Sequence, residues 1–410
     1  MTTQTSDLGP TTALRLIRLL VRPFERFVRV EASSGIVLLG AALVALAWAS
    51  SPWSTSYTAL WDLPVAGTEL TPHFVVNEVL MTLFFLLVGL EIRREIHEGE
   101  LSSWRAAALP VFAAFGGMLA PAVVYLAIAG PTLPSGWGIP IATDIAFALG
   151  VVSLLSKRIP PALRVLLLAL AIFDDIGAIV VIAVFYTNGV QVTGLVLAAA
   201  GVVLIAILRR VGITRALVYV PAGILIWVGL YRAGVHPTLT GVIVGFMTPP
   251  FAVGEDPDLP SPAERLENLL HPWVAFGIMP LFALANAGVD LRTAGAGSLP
   301  IGLGIALGLV IGKPLGILAA SATAVKLRLA SLPRDVTWSG IVVLGIVAGI
   351  GFTMSLFITG LAFKHQLHAH AMAKTAVLAG STLSAILALV VARVVYTKRP
   401  VVSEPLGDDA

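Results

Sequence analysis

Seven stretches of this chain, residues 32–61, 106–143, 176–208, 233–254, 268–289, 293–312 and 336–363, contain no Asp, Glu, Lys or Arg. Crossing the hydrocarbon core of a bilayer takes about 20 mostly apolar residues, so most of these runs hold one crossing and the longest hold two short ones around a turn. They are apolar on every face, which excludes a transmembrane barrel, whose strands alternate over about 10 residues. With 57% apolar and 12% charged residues, a water-soluble globule would have to expose large apolar patches. The expected fold is an all-α polytopic membrane protein.

Apolar runs and their Gly, Pro and charged breaks predict about twelve spans, centred near 42, 83, 116, 146, 175, 200, 222, 241, 279, 309, 350 and 384. Assigning alternate loops to opposite sides puts 21 of the 26 basic residues on one side. Only Arg232, Arg292, Lys364 and Lys374 fall on the other, and Lys313 lies inside a span. The positive-inside rule then makes both termini cytoplasmic and the span number even. Residues 1–32 read as a cytoplasmic segment with an interfacial amphipathic helix: Leu14, Ile17, Val21, Phe24 and Val28 on one face, Arg15, Arg18, Arg22, Arg26 and Arg29 on another. Those arginines interrupt any signal-peptide-like stretch, and Glu25 and Glu31 speak against a transit peptide, the other reading of this segment. Residues 33–397 form the membrane domain. Within it, 53–72, rich in Trp, Tyr, Thr, Pro and Gly, reads as an exoplasmic hairpin with an aromatic anchor, and 398–410 is a cytoplasmic tail.

Cysteine is absent, so disulfides, thiolate chemistry and Cys-ligated metals are excluded, and the seven His residues show no metal-ligand spacing. No cofactor is expected. The net charge of +3 reflects membrane orientation, and nucleic acid is not an expected partner.

Five ionisable residues stand within predicted spans: Glu78, Asp144, Asp174, Asp175 and Lys313. At about 2.5–3.5 kcal/mol each, left unpaired they would cost on the order of 12–17 kcal/mol, which matches or exceeds a protein's whole net stability. They must face one another, water or an ion, and four acids to one base leave room for a cation. Asp174 and Asp175 are helix neighbours whose side chains diverge by about 100° and serve two partners around a cavity. Low dielectric favours the protonated carboxyl, while an ammonium or a bound Na⁺ favours the carboxylate, so such a site takes protons or a cation. The plainer alternative for any one Asp is an interhelical hydrogen-bonding group.

Asp144 lies in G-W-G-I-P-I-A-T-D-I-A-F-A-L-G, residues 136–150, where Gly138 and Pro140 loosen the helix ahead of Thr143. A second glycine-rich segment, G-I-V-A-G-I-G-F-T-M-S, occupies 345–355. Two interrupted spans, the fourth and eleventh, suggest spans three to five and ten to twelve as inverted repeats, with Asp144 neutralising exposed helix N-termini and Lys313 the C-termini. Ordinary small-residue packing is the competing reading of each glycine cluster. At the end of the second span, Glu91 and Glu95 share a helix face amid Arg93, Arg94, His97 and Glu98 and titrate together, unless the cluster is simply a solvated helix end. The acidic loop of Glu255, Asp256, Asp258, Glu264 and Glu267, followed by His271, is placed to join it in sensing pH.

In order along the chain stand L-M-T-L-F-F-L-L-V-G-L-E (80–91), A-T-D-I-A-F-A-L-G (142–150), F-D-D-I-G-A-I (173–179), G-V-H-P-T-L-T-G-V (234–242), L-H-P-W-V-A (270–275), P-L-F-A-L-A-N-A-G (280–288), G-K-P-L-G (312–316) and G-I-G-F-T-M-S (349–355). Together they resemble the NhaA-type Na⁺/H⁺ antiporters of bacteria from about residue 30 to 397. This family is itself a known inverted-repeat transporter, so the repeat assignment and the resemblance are not independent. The resemblance implies twelve spans with two broken, crossing helices, a homodimer in the bacterial inner membrane, and electrogenic exchange of cytoplasmic Na⁺ or Li⁺ for external H⁺. It implies that Asp175 binds the cation, with Asp174 as partner carboxylate able to pair with Lys313. Asp144 and Lys313 compensate the broken helices beside Thr143, and Glu91, Glu95, His236 and Glu267 carry the pH response. Three positions depart from the family pattern: Asn77-Glu78 where Asn-Asp is usual, Asn268 where His is common, and Glu264 at a loop position that can be basic.

The expected mechanism is alternating access, with H⁺ and one small cation competing at Asp174/Asp175 and the Asp174–Lys313 pair as a second titrating unit. Two rivals use the same carboxylates. A Na⁺-coupled symporter for an organic solute predicts solute-dependent Na⁺ uptake. An intramembrane aspartyl protease using Asp144 and Asp174 needs a G-x-G-D context, which is missing, since these residues follow A-T and I-F.

Overall fold

The computed structural model describes residues 33–64, 70–98, 104–155, 159–187, 189–213, 215–249, 261–290 and 299–396, and every regular element among them is helical. In lipid only internal hydrogen bonding satisfies the backbone, so charge-free runs of this length become helices. Helix α1 (Ser33–Ala49) turns by 115° into α2 (Ser54–Asp62). Next come α3 (Pro72–His97) and α4 (Trp104–Ala129). A 3₁₀ segment (Pro134–Ile141) leads through residues 142–144 to α5 (Ile145–Ser153). The chain continues as α6 (Pro161–Phe185), α7 (Val192–Arg210), α8 (Val220–Ala233) and α9 (Leu239–Met247). Then follow α10 (Pro262–Asn286) and α11 (Leu299–Lys326), α12 (Trp338–Ala348), α13 (Phe352–Ala362) and α14 (Leu367–Tyr396).

Among the described residues eight helices are long and apolar enough to cross a bilayer, or ten when α1–α2 and α12–α13, bent by 47°, each count as one. Of the twelve expected spans this measure leaves out α8 and α9, which have 14 and 9 residues.

Burial orders the bundle. In the apolar window of Pro134–Ser153, 67% is buried and in those of α6 and α11 61%, against 22% for α7, so the first three form the interior and α7 a lipid-facing periphery. Helices α7, α8 and α9 close a small core of their own around Ala198, Ile205, Ile226 and Leu230. Helices α3, α10 and α11 each contain one stretch of wide π-type turns, at Val75–Leu80, Val274–Ile278 and Gly308–Gly312; such turns gather at functional sites. The third ends directly at Lys313.

Helix α11 reaches its depth because glycines let it touch α4. A Cβ on Gly116 would stand 2.2 Å from the Gly316 carbonyl oxygen, and one on Gly316 would stand 2.1 Å from that of Gly116. A Gly316→Ala substitution is expected to lower stability by about 1–3 kcal/mol through overpacking, read as a lower midpoint of thermal unfolding in detergent. Gly40→Ala in α1, where a Cβ meets nothing within 4 Å, is the control; an equal effect of both substitutions would refute the contact argument.

Several expectations change. Lys374, assigned to an exoplasmic loop, lies in α14 and is buried, because the Ala-rich stretch around it packs as a helix face. Glu264 is not a loop residue. It is the third residue of α10, where its carboxylate accepts from Ser261 N at 2.7 Å and its own N–H donates to Ser261 Oγ, a capping box that explains an acid at this position. The segment 53–72 carries helix α2 over nine residues, docked by Tyr57, whose hydroxyl donates to the Leu284 and Ala285 carbonyls at 2.8 and 3.1 Å. The N-terminal amphipathic segment, the acids at 255, 256 and 258, and the tail 398–410 lie outside the described residues.

Candidate ion-binding site

The consecutive aspartates of α6 are 0% and 2% exposed, and their side chains point to different surroundings. Asp174 Oδ2 is 2.8 Å from Lys313 Nζ and accepts from Thr143 Oγ1 at 2.6 Å. The Lys313 ammonium also donates to the Ile141 carbonyl, the last residue of the 3₁₀ segment. Lys313 thereby joins an acid to a helix end whose carbonyls carry partial negative charge. The Thr143 hydroxyl, with a single proton, stands between Asp174 and the Ala348 carbonyl, 2.9 Å away at the end of α12.

The two helix breaks meet at this level. Asp144 N donates to the Ile350 carbonyl at 2.7 Å. Its side chain caps α5 through Oδ1, accepting from Phe147 N at 2.9 Å. Oδ2 accepts from Thr353 N at 3.0 Å and Thr353 Oγ1 at 2.5 Å, in the first turn of α13. One buried carboxylate thus serves the N-terminal ends of two half-helices, where its charge is favourable. Ser355 Oγ donates to the Ile139 carbonyl at 2.7 Å, tying the same segments one turn further.

Asp175 is different. Like Asp174 Oδ1, its Oδ1 accepts no hydrogen bond among the described residues, but of the two it is Asp175 that lines a cavity of about 60 Å³, together with Glu91, Thr143, Asp144, His271, Met279 and Thr353. The space suits a small hydrated ion. A monovalent cation there would find the Asp175 oxygen and the Thr143 hydroxyl, while a proton would neutralise the same carboxyl.

Of the residues singled out in the sequence, the structure brings together Thr143, Asp144, Asp174, Asp175 and Lys313, with Glu91 on the cavity wall. Glu95 lies one turn beyond Glu91 and does not line the cavity. Glu267 forms an ion pair with Arg94, linking α10 to α3 at the Glu91 end. His236 is elsewhere, 3.4 Å from Glu78 Oε2, and Glu78 and Glu91 are separated by roughly 20 Å of helix. The candidate pH-response residues therefore divide between two ends of α3.

Sequence reasoning missed Thr353, although it sits in the quoted 349–355 motif, because a lone Thr in an apolar run carries no signal of its partner. It also missed the chain in which Asn286 Nδ2 donates to Asn77 Oδ1 at 2.8 Å and Asn77 meets His73 at 3.1 Å. Spacing that pairs residues 209 apart is invisible without the fold.

Fold and site define a multi-pass α-helical membrane protein with charges buried at the middle of its spans around an ion-sized space. The chain is 51% identical to the Na(+)/H(+) antiporter NhaA 2 of Sorangium cellulosum (strain So ce56), over 93% of this chain and 92% of the relative. It is 48% identical to the Na(+)/H(+) antiporter NhaA 2 of Myxococcus xanthus (strain DK1622), over 94% and 92%, and 51% identical to the Na(+)/H(+) antiporter NhaA of Acidovorax sp. (strain JS42), over 89% and 90%. The family model for Na+/H+ antiporter 1 matches residues 25–392, and the chain belongs to this NhaA-type family.

Proposed function

We propose that this protein exchanges cytoplasmic Na⁺ or Li⁺ for external H⁺, electrogenically and under pH control, by alternating access around Asp174 and Asp175. The observation that carries this reading is the asymmetry of the pair: Asp174 is engaged through Oδ2 by Lys313 and Thr143, while its neighbour Asp175 has neither partner and is the one of the two that lines the cavity. Asp175 takes the cation or a proton. The Asp174–Lys313 pair supplies the second titrating unit that moving more than one proton per cation requires. The Asp144-linked breaks hold the site, and α8 and α9 complete twelve spans. The cavity runs from Asp175 to Glu91 and His271, at the pole where basic loops concentrate, so it is read as the cytoplasmic entrance. Glu91, Glu95 and the Arg94–Glu267 pair at that entrance, and His236 at the far end, are the groups through which pH acts. The protein is assigned to the bacterial inner membrane with both termini cytoplasmic, as a homodimer with α2 on the exoplasmic side.

The test uses inside-out vesicles acidified by respiration, with a dye reporting lumenal acidity. Adding NaCl or LiCl is expected to discharge the acidity promptly with the native chain and not at all with Asp175→Asn, inserted to the same level. A response that requires an organic solute would favour the symporter, and full activity of Asp175→Asn would remove that residue from the site.

A further inference from the structure

The pole read as exoplasmic holds a carboxylate that the exchange cycle above leaves without a part, beside the imidazole of His236 already assigned to the pH response. Glu78 lies in the wide turns at the start of α3, and His236 in the connection between α8 and α9. Their side chains are 19% and 15% exposed, with Nδ1 of His236 3.4 Å from Oε2 of Glu78. That oxygen accepts no hydrogen bond among the described residues. His236 Nδ1 is also 3.3 Å from Thr238 Oγ1. The other charged group acting on both is Lys364, just beyond α13.

Behind this pair the bundle is closed by aromatic rings. His236 meets Phe357 edge-on at 5.6 Å, and Phe357 packs on Phe85 at 5.4 Å and Phe282 at 6.2 Å. None of the three phenylalanines is more than 4% exposed. Thr353 and Met354, one turn earlier on α13, already line the Asp175 cavity, as does Met279, three residues before Phe282. These buried rings connect His236 to the segments of α10 and α13 that line the Asp175 space. The fit is particular to glutamate: an aspartate at 78 would fall short of His236 by one carbon–carbon bond, about 1.5 Å.

We propose that Glu78 and His236 form an exoplasmic loading station that holds one positive charge at a time: a monovalent cation against the Glu78 carboxylate, or a proton on His236 that pairs with the carboxylate and displaces the cation. The inference rests on the exchange reading and adds a second stop to it. Glu78 offers an anionic oxygen to a cation that leaves past these aromatic rings on its way to water. An arriving proton converts His236 into a cation at 3.4 Å from that oxygen, which expels the ion outward and bars its return.

The full-length chain is reconstituted in proteoliposomes, and the apparent KM for Na⁺ is measured with Na⁺ presented to either face. Glu78→Gln is expected to raise KM at the exoplasmic face about tenfold and to leave KM at the cytoplasmic face unchanged. His236→Gln is expected to make the rise of exoplasmic KM on lowering external pH less steep, leaving only the part due to proton competition at Asp175. A Glu78→Gln effect equal on both faces, or on neither, overturns the station. Should that variant fail to reach the membrane, Glu78→Asp decides: a flattened external-pH dependence supports the pairing and an unchanged one overturns it. Absence of exchange in the native chain would instead defeat the exchange reading itself, so the two failures are distinguishable.

Discussion

A Lys313→Met variant is expected to lose about 3–5 kcal/mol of stability, the cost of stranding one partner of a buried ion pair. Lys313 is 0% exposed, and its ammonium serves both Asp174 and the Ile141 carbonyl. Methionine fills similar volume but donates to neither, leaving a buried carboxylate with only Thr143 to meet it and a helix end without its donor. The double variant Asp174→Asn/Lys313→Met should recover much of the loss, because removing both charges removes the desolvation cost together with the attraction. Thermal unfolding in detergent, followed by the fluorescence of the eight tryptophans, measures all three proteins. If the double variant is as unstable as the single one, the pair is not the source of the penalty. Exchange should fail in both, since the second titrating unit is gone.

Replacing Asp144 by Ala is expected to destabilise by about 2–4 kcal/mol, taking about 1–3 kcal/mol for the buried backbone donor and the low end of that range for the half-buried one. Those donors are Thr353 N and Phe147 N, fixed in the first turns of α13 and α5 and unable to turn away. Asn at 144 keeps one carbonyl oxygen and should lose less. Were Asn as harmful as Ala, the charge against two helix N-termini would be the important quantity, which the usual scale of about 0.3–2 kcal/mol for such interactions makes too small.

Membrane class, helical fold and the positions of the charged residues were legible in the sequence, because charge-free runs have only one solution in lipid and intramembrane charges stand out against them. The five central residues could be named, but their partners could not. Nothing in the spacing says that Thr353 donates to Asp144 or that Asn286 reaches Asn77. Lys374 was misplaced for a related reason: a basic residue near a predicted boundary reads as a loop residue until the packing of its helix is known. The resemblance supplied roles for Glu91, Glu95, His236 and Glu267 without indicating that one of them stands at the opposite end of α3 from the rest.

The double service of Asp144 also limits how the bundle can move. Because one carboxylate holds α5 and α13, and Ser381 Oγ accepts from Phe352 N at 3.0 Å to bind α13 to α14, these half-helices have few independent degrees of freedom. Separating any two breaks a hydrogen bond buried in the bundle. Under the proposed alternating access, the knot is therefore expected to travel as one rigid body, with the displacement falling to the contact between it and the helices packed around it, α3 and α10 first among them.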